Sequence, residues 1–65
     1  MPTIDMGKLT VKLYRGIFDG VDGEMAAVSA VTGLDIPEVE ELSWEEYRRL
    51  LREIVEKARA PFDPN

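Results

Sequence analysis

The sequence predicts an all-α fold: a small bundle of three main helices (about 4–18, 23–32 and 44–59) with a short helical turn near 37–42. Two observations carry this expectation. Apolar residues recur at three- and four-residue intervals in the first and last thirds of the chain, the spacing of one helix face. Turn and stop residues fall between those stretches rather than inside them. Sixty-five residues make one domain, read as 1–65 with a loose tail at 60–65. A chain of that size buries only about 60% of its unfolded surface. It has no cysteine for a disulfide and no histidine, so oligomerisation is the supplement to stability left open.

The first element rests on its apolar arc. At 100° per residue, Met6, Leu9, Leu13, Tyr14 and Ile17 share one face, with Phe18 at its margin and Lys8, Lys12, Arg15 and Asp5 opposite. Ile4 and Val11 fall outside the stripe. Thr3 is placed to cap the start, with Asp5 in the first turn. The short alternation Leu9–Leu13 also fits a strand, and Gly7, Thr10 and Val11 weaken a helix by a few tenths to about 1 kcal/mol each. The longer helical window is preferred.

Phe18-Asp19-Gly20-Val21-Asp22-Gly23 is turn chemistry. Asp22 is then the expected N-cap of a helix of small residues, which a neighbouring helix can approach closely. Gly33 ends it where a left-handed residue belongs, with Leu34 placed for the accompanying apolar contact. Asp35-Ile36-Pro37 opens a further turn, since proline suits the first helical positions. In Ser43-Trp44-Glu45-Glu46 the Ser43 hydroxyl and the Glu46 carboxylate are spaced for a reciprocal capping box. Leu42 and Tyr47 are spaced for a hydrophobic staple. Tyr47, Leu50, Leu51, Ile54, Val55 and Ala58 then line one face. Glu45–Arg49, Arg49–Glu53 and Glu53–Lys57 are spaced to pair along the outer side. Pro61 and Pro64 stop the helix.

Charge narrows the function. The net charge is −5, and from Gly16 to Tyr47 there are nine acids and no base. Nucleic-acid affinity is built on phosphate contacts, so no nucleic-acid partner is expected. Lys8, Lys12 and Arg15 read as a solvated face, one that also complements the acidic middle of a second copy. No stretch approaches the roughly 20 apolar residues of a membrane span, and the start lacks a secretory signal pattern. A soluble, cytoplasmic protein without membrane association is expected.

Catalysis finds no apparatus. Asp19, Asp22 and Glu24 have the wrong spacing for a calcium loop and read as a turn and a cap. The Glu38/Glu40/Glu41/Glu45/Glu46 cluster lacks the cleft and positioning groups that paired carboxylates need. The expectation is a non-enzyme with no cofactor, no metal and no catalytic residue. Protein binding remains, and its candidate residues are Phe18, Trp44, Tyr14, Val11 and Ile4. Trp44 stands at the first position of a helix beside acids, where a tryptophan serves as a core lid or an interface anchor. The expected contact surface joins Trp44, Phe18 and part of the first helix, and serves self-association or a protein partner.

The order of signals resembles a family. Pro2-Thr3-Ile4-Asp5-Met6, an alanine-rich helix ending in Val31-Thr32-Gly33-Leu34, a Pro37-Glu38 start and Leu42-Ser43-Trp44-Glu45-Glu46-Tyr47 resemble the tail assembly chaperones of P2-like and Mu-like contractile-tailed phages and prophages. Glu46 stands where that family commonly has aspartate before the tyrosine. The resemblance spans residues 2 to 57. It implies a non-virion chaperone in the bacterial host cytoplasm that keeps the tape measure or another tail protein soluble before assembly. It brings no catalytic residues. Two other readings are a regulatory or antitoxin-like module binding a different protein, and a nucleic-acid-binding helical domain. The latter would show the steep salt dependence of counterion release.

Overall fold

The computed structural model describes residues 3–59; the expected tail at 60–65 lies outside them. Within that range the chain is all-helical: a 3₁₀ turn (Met6–Lys8), α1 (Val11–Ile17), α2 (Val21–Thr32), α3 (Ile36–Glu40) and α4 (Trp44–Arg59). No described residue is in a strand, and no helix is long and apolar enough to cross a membrane.

α2 is the centre of the bundle and packs against every other element. Ala27, Val28 and Val31 are essentially inaccessible there, and Ile17, Val39, Tyr47, Leu50 and Ile54 close the core around them. Small side chains make this possible. Gly16 and Gly23 face each other where α1 meets α2, and a Cβ on Gly23 would overlap the Gly16 carbonyl. α2 ends at Gly33, which has φ 77°, a conformation that only glycine adopts at little cost. Three side-chain bonds reinforce the stop. The Thr32 hydroxyl donates to the Val28 carbonyl and accepts from the Leu34 amide, and the Ser29 hydroxyl donates to the Leu34 carbonyl. Leu34 packs on the core as expected.

The first helix is shorter than the apolar arc predicts. Residues 4–18 do not form one helix: Leu9 and Thr10 are extended and separate the 3₁₀ turn from α1. Side chains decide the break. The Asp5 carboxylate accepts from the Gly7 amide, and the Thr10 hydroxyl accepts from the Leu13 amide. Each bond offers the backbone a local alternative to continuous helix. The Asp5 amide also donates to the Val31 carbonyl at 2.7 Å, tying the segment to α2. Thr10, not Thr3, is therefore the cap that starts α1. Ile4 and Leu9 still turn onto the core.

Two other expectations are adjusted. α2 begins at Val21 with Gly20 as N-cap, so Asp22 lies in the first turn instead of capping it. The short turn near 37–42 is α3, with Pro37 in its first turn and the Glu38 carboxylate accepting from the Asp35 amide at 2.9 Å. α4 runs over the expected residues, and its whole apolar face is buried or half-buried.

Candidate protein-binding surface

The start of α4 is held firmly. The Ser43 hydroxyl accepts from the Glu46 amide at 3.1 Å and its carbonyl from the Tyr47 amide at 2.9 Å. The return half of the capping box is not made, because the Glu46 carboxylate turns to Arg49 at 3.6 Å. Among the described residues that is the only ion pair, so the expected Glu45–Arg49, Arg49–Glu53 and Glu53–Lys57 ladder is not formed. Long, solvated side chains gain little by pairing in water.

This cap sets Trp44 at the first turn of α4, where 69% of its surface is exposed. Its ring stacks on Tyr47 at 6.0 Å. Tyr47 is fixed in turn: it is buried, and its hydroxyl donates to Glu24 Oε1 on α2 at 3.0 Å. Burial first, then the hydrogen bond to Glu24 and its negative charge, push the phenol up to about 12. The indole thus stands on a neutral, hydrogen-bonded platform that links α4 to α2.

Beside it lies a groove of about 370 Å³, lined by Val21, Met25, Val39, Leu42, Trp44 and Tyr47 with Glu24 and Glu40. Leu42 and Tyr47, the staple pair, both border it. Val21 is itself 63% exposed. It was not among the sequence candidates because it reads as part of a turn; as the first residue of α2 it presents its isopropyl group beside Trp44. Ile36 is a second exposed aliphatic residue that sequence reasoning missed, at the start of α3.

The remaining candidates lie elsewhere. Val11, 77% exposed at the first turn of α1, borders a second groove of about 410 Å³ with Met6, Leu9, Thr10 and Tyr14. Lys57, Ala58 and Arg59 from the end of α4 form its other wall. Phe18 is 66% exposed and meets Tyr14 edge to face at 5.3 Å. Ile4 is half-buried against the core and faces Leu50, Glu46 and Arg49 instead. Among the described residues these two grooves share no lining residue. The structure therefore divides the single expected surface in two, one around Trp44 and one around Val11 and Tyr14.

Among the described residues no group of three acids is placed to hold a metal ion. Glu38 and Glu46 bond to the helix start and to Arg49, while Glu40 borders the Trp44 groove.

No family model, curated protein or solved structure gives a significant match to this chain.

Proposed function

We propose that the chain is a non-catalytic protein-binding domain whose partner seats on the Trp44 groove. The carrying observation is the exposed indole. A tryptophan two-thirds in water, stacked on a fixed tyrosine beside an apolar groove, has the properties of an interface anchor. Exposed apolar surface that is contiguous and rimmed by polar groups marks interaction sites. Glu24 and Glu40 supply such a rim.

The more specific form of the proposal is a phage tail assembly chaperone acting in the host cytoplasm, with the tape measure or another tail protein as partner. Its support is the resemblance of residues 2 to 57 described above, together with a groove suited to an apolar segment of a long helical protein. Co-expression with the tape measure protein of the same genome is the test. The wild type should keep that protein in the soluble fraction and co-purify with it, and Trp44→Ala should lose both. Equal solubility and no co-purification with either form would end the chaperone reading.

A further inference from the structure

The two apolar grooves differ in the charge of their walls. Among the described residues, the Trp44 groove has two acids, Glu24 and Glu40, and no base. Among the same residues, the Val11 groove has two bases, Lys57 and Arg59, and no acid. Each is bordered by an aliphatic or aromatic residue that stands well into solvent, Trp44 and Val21 at one and Val11 at the other. They are also of similar size, about 370 and 410 Å³. We propose that they are the two halves of one contact between copies of this chain, with the Trp44 groove of one copy seated on the Val11 groove of the next. This rests on the Trp44 groove being a docking surface, as above, but not on the identity of any tail partner.

The chemistry of the contact follows from the lining residues. The indole enters the Met6/Leu9/Val11/Tyr14 groove, removing apolar surface from water on both sides. Lys57 and Arg59 then flank it, where a cation over an indole face is favourable. The same two bases approach Glu40 and Glu24 of the copy they receive, which fixes register and orientation more than affinity. Contact between like grooves lacks these matches: two Trp44 grooves oppose acid to acid, and two Val11 grooves base to base. The joined surfaces are therefore different, a heterologous contact. Such contacts either close into rings or extend. Each copy in the interior of a chain has its Trp44 groove covered, so a foreign partner competes with self-association for it.

Two variants separate the halves. Val11→Asp blocks the basic groove and Trp44→Glu blocks the acidic one. Both substitutions fall at the first position of a helix, where an acid is tolerated. Trp44→Gln repeats the second without adding charge. Trp44 is the chain's one tryptophan, so its emission reports burial without a label. Wild-type emission should shift to the blue, and sedimentation should show species larger than a dimer, as concentration rises from about 10 μM to about 1 mM, the range of weak contacts. Each variant alone should stay monomeric. Adding the tryptophan-free Trp44→Glu chain to Val11→Asp should restore the blue shift and yield a 1:1 heterodimer that grows no further. Salt of about 1 M, where charges are screened beyond about 3 Å, should weaken that heterodimer several-fold.

A wild type monomeric throughout the range overturns the proposal, whatever the result with the tape measure protein. Self-association that survives Val11→Asp, with no response of that variant to Trp44→Glu, also overturns it in favour of a symmetric contact. Association gained only on Phe62→Ser would give the basic groove to the chain's own residues 60–65, and would overturn a second copy as its occupant.

Discussion

Residues 4–18 and 44–59 carry apolar patterns of similar regularity and fold differently. The second stretch is one helix of 16 residues; the first is a 3₁₀ turn, an extended pair and a helix of seven. Both stretches place most of their apolar residues toward the core and leave Val11, Phe18 and Trp44 exposed. What differs is the competition along the backbone. Between Trp44 and Arg59 no residue has a short polar side chain that bonds its own backbone, and Ser43 sits just before the start. Between Ile4 and Phe18 an aspartate, two glycines and a threonine stand inside the pattern, and the aspartate and the threonine bond neighbouring amides. Periodicity therefore reports which residues face the core, while small polar side chains decide where the helix is interrupted.

The largest expected effect tests how far the N-terminal region leans on α2. α1 has only seven residues, too few to be stable alone, and it docks through the Gly16–Gly23 approach. Gly23→Ala adds a methyl group that meets backbone rather than a movable side chain. The gain in helix propensity, roughly 1 kcal/mol, is outweighed by the displacement of α1. A net loss of about 3 kcal/mol is expected, at the upper end of overpacking costs. Denaturant unfolding of the variant checks it. Amide exchange should show α1 opening before α4. A loss confined to a few tenths of a kcal/mol would mean that α1 contributes little to the core.

This contrast explains what was legible beforehand. The helical class, the start of α4 and the stop at Gly33 were readable because cap or terminator agrees with periodicity there. The Asp5–Val31 backbone bond was not, since nothing local to Asp5 announces a partner 26 positions away. The same holds for the candidate surface. Trp44 could be singled out because it opens a helix among acids. Its platform could not, because the Tyr47–Glu24 bond joins residues 23 positions apart. Nor was the division into two grooves visible, for it depends on how the segment from Met6 to Tyr14 lies beside the end of α4. Ile4 looked displaced only while it was counted on a continuous helix. In the actual extended segment it reaches the core.

The Tyr47 platform supplies the next effect, specific to the α4 side of the comparison. The folded state binds the phenolic proton more tightly, with the pKa raised from 10.0 to about 12. Stability from this source is fully present below pH 10 and is lost as pH climbs from 10 through 12. A shift of that size corresponds to about 2 to 3 kcal/mol at most. Thermal midpoints measured from pH 8 to 12 should fall more steeply in the wild type than in Tyr47→Phe, where the proton is gone from both states. At pH 8 the variant should be slightly less stable, because Glu24 loses its donor. Parallel curves for the two proteins would break the assigned link between α2 and α4.

The smallest effect compares the two caps directly. Ser43 and Thr10 each accept one backbone amide three residues on, at 3.1 and 3.2 Å, so the local bond is nearly the same. Replacing such a cap by alanine costs about 0.5–2 kcal/mol. The helices they start are unequal, however. Loss of the Ser43 cap frays the turn that carries Trp44 and Tyr47, so Ser43→Ala should cost about 1 kcal/mol and also broaden the environment of the indole. Loss of the Thr10 cap frays a turn whose first residue, Val11, is 77% exposed. It also removes the side chain that holds the break, allowing the helix to grow back toward Leu9. Thr10→Ala should therefore cost only about 0.5 kcal/mol, the low end for a cap, with Trp44 emission unchanged. Paired thermal melts and fluorescence spectra make the comparison. If Thr10→Ala proves as costly as Ser43→Ala, the interruption at Leu9–Thr10 is held by tertiary contacts such as Asp5–Val31, and the threonine only decorates it. If it proves stabilising, the apolar arc over 4–18 was a helix held open by one hydroxyl.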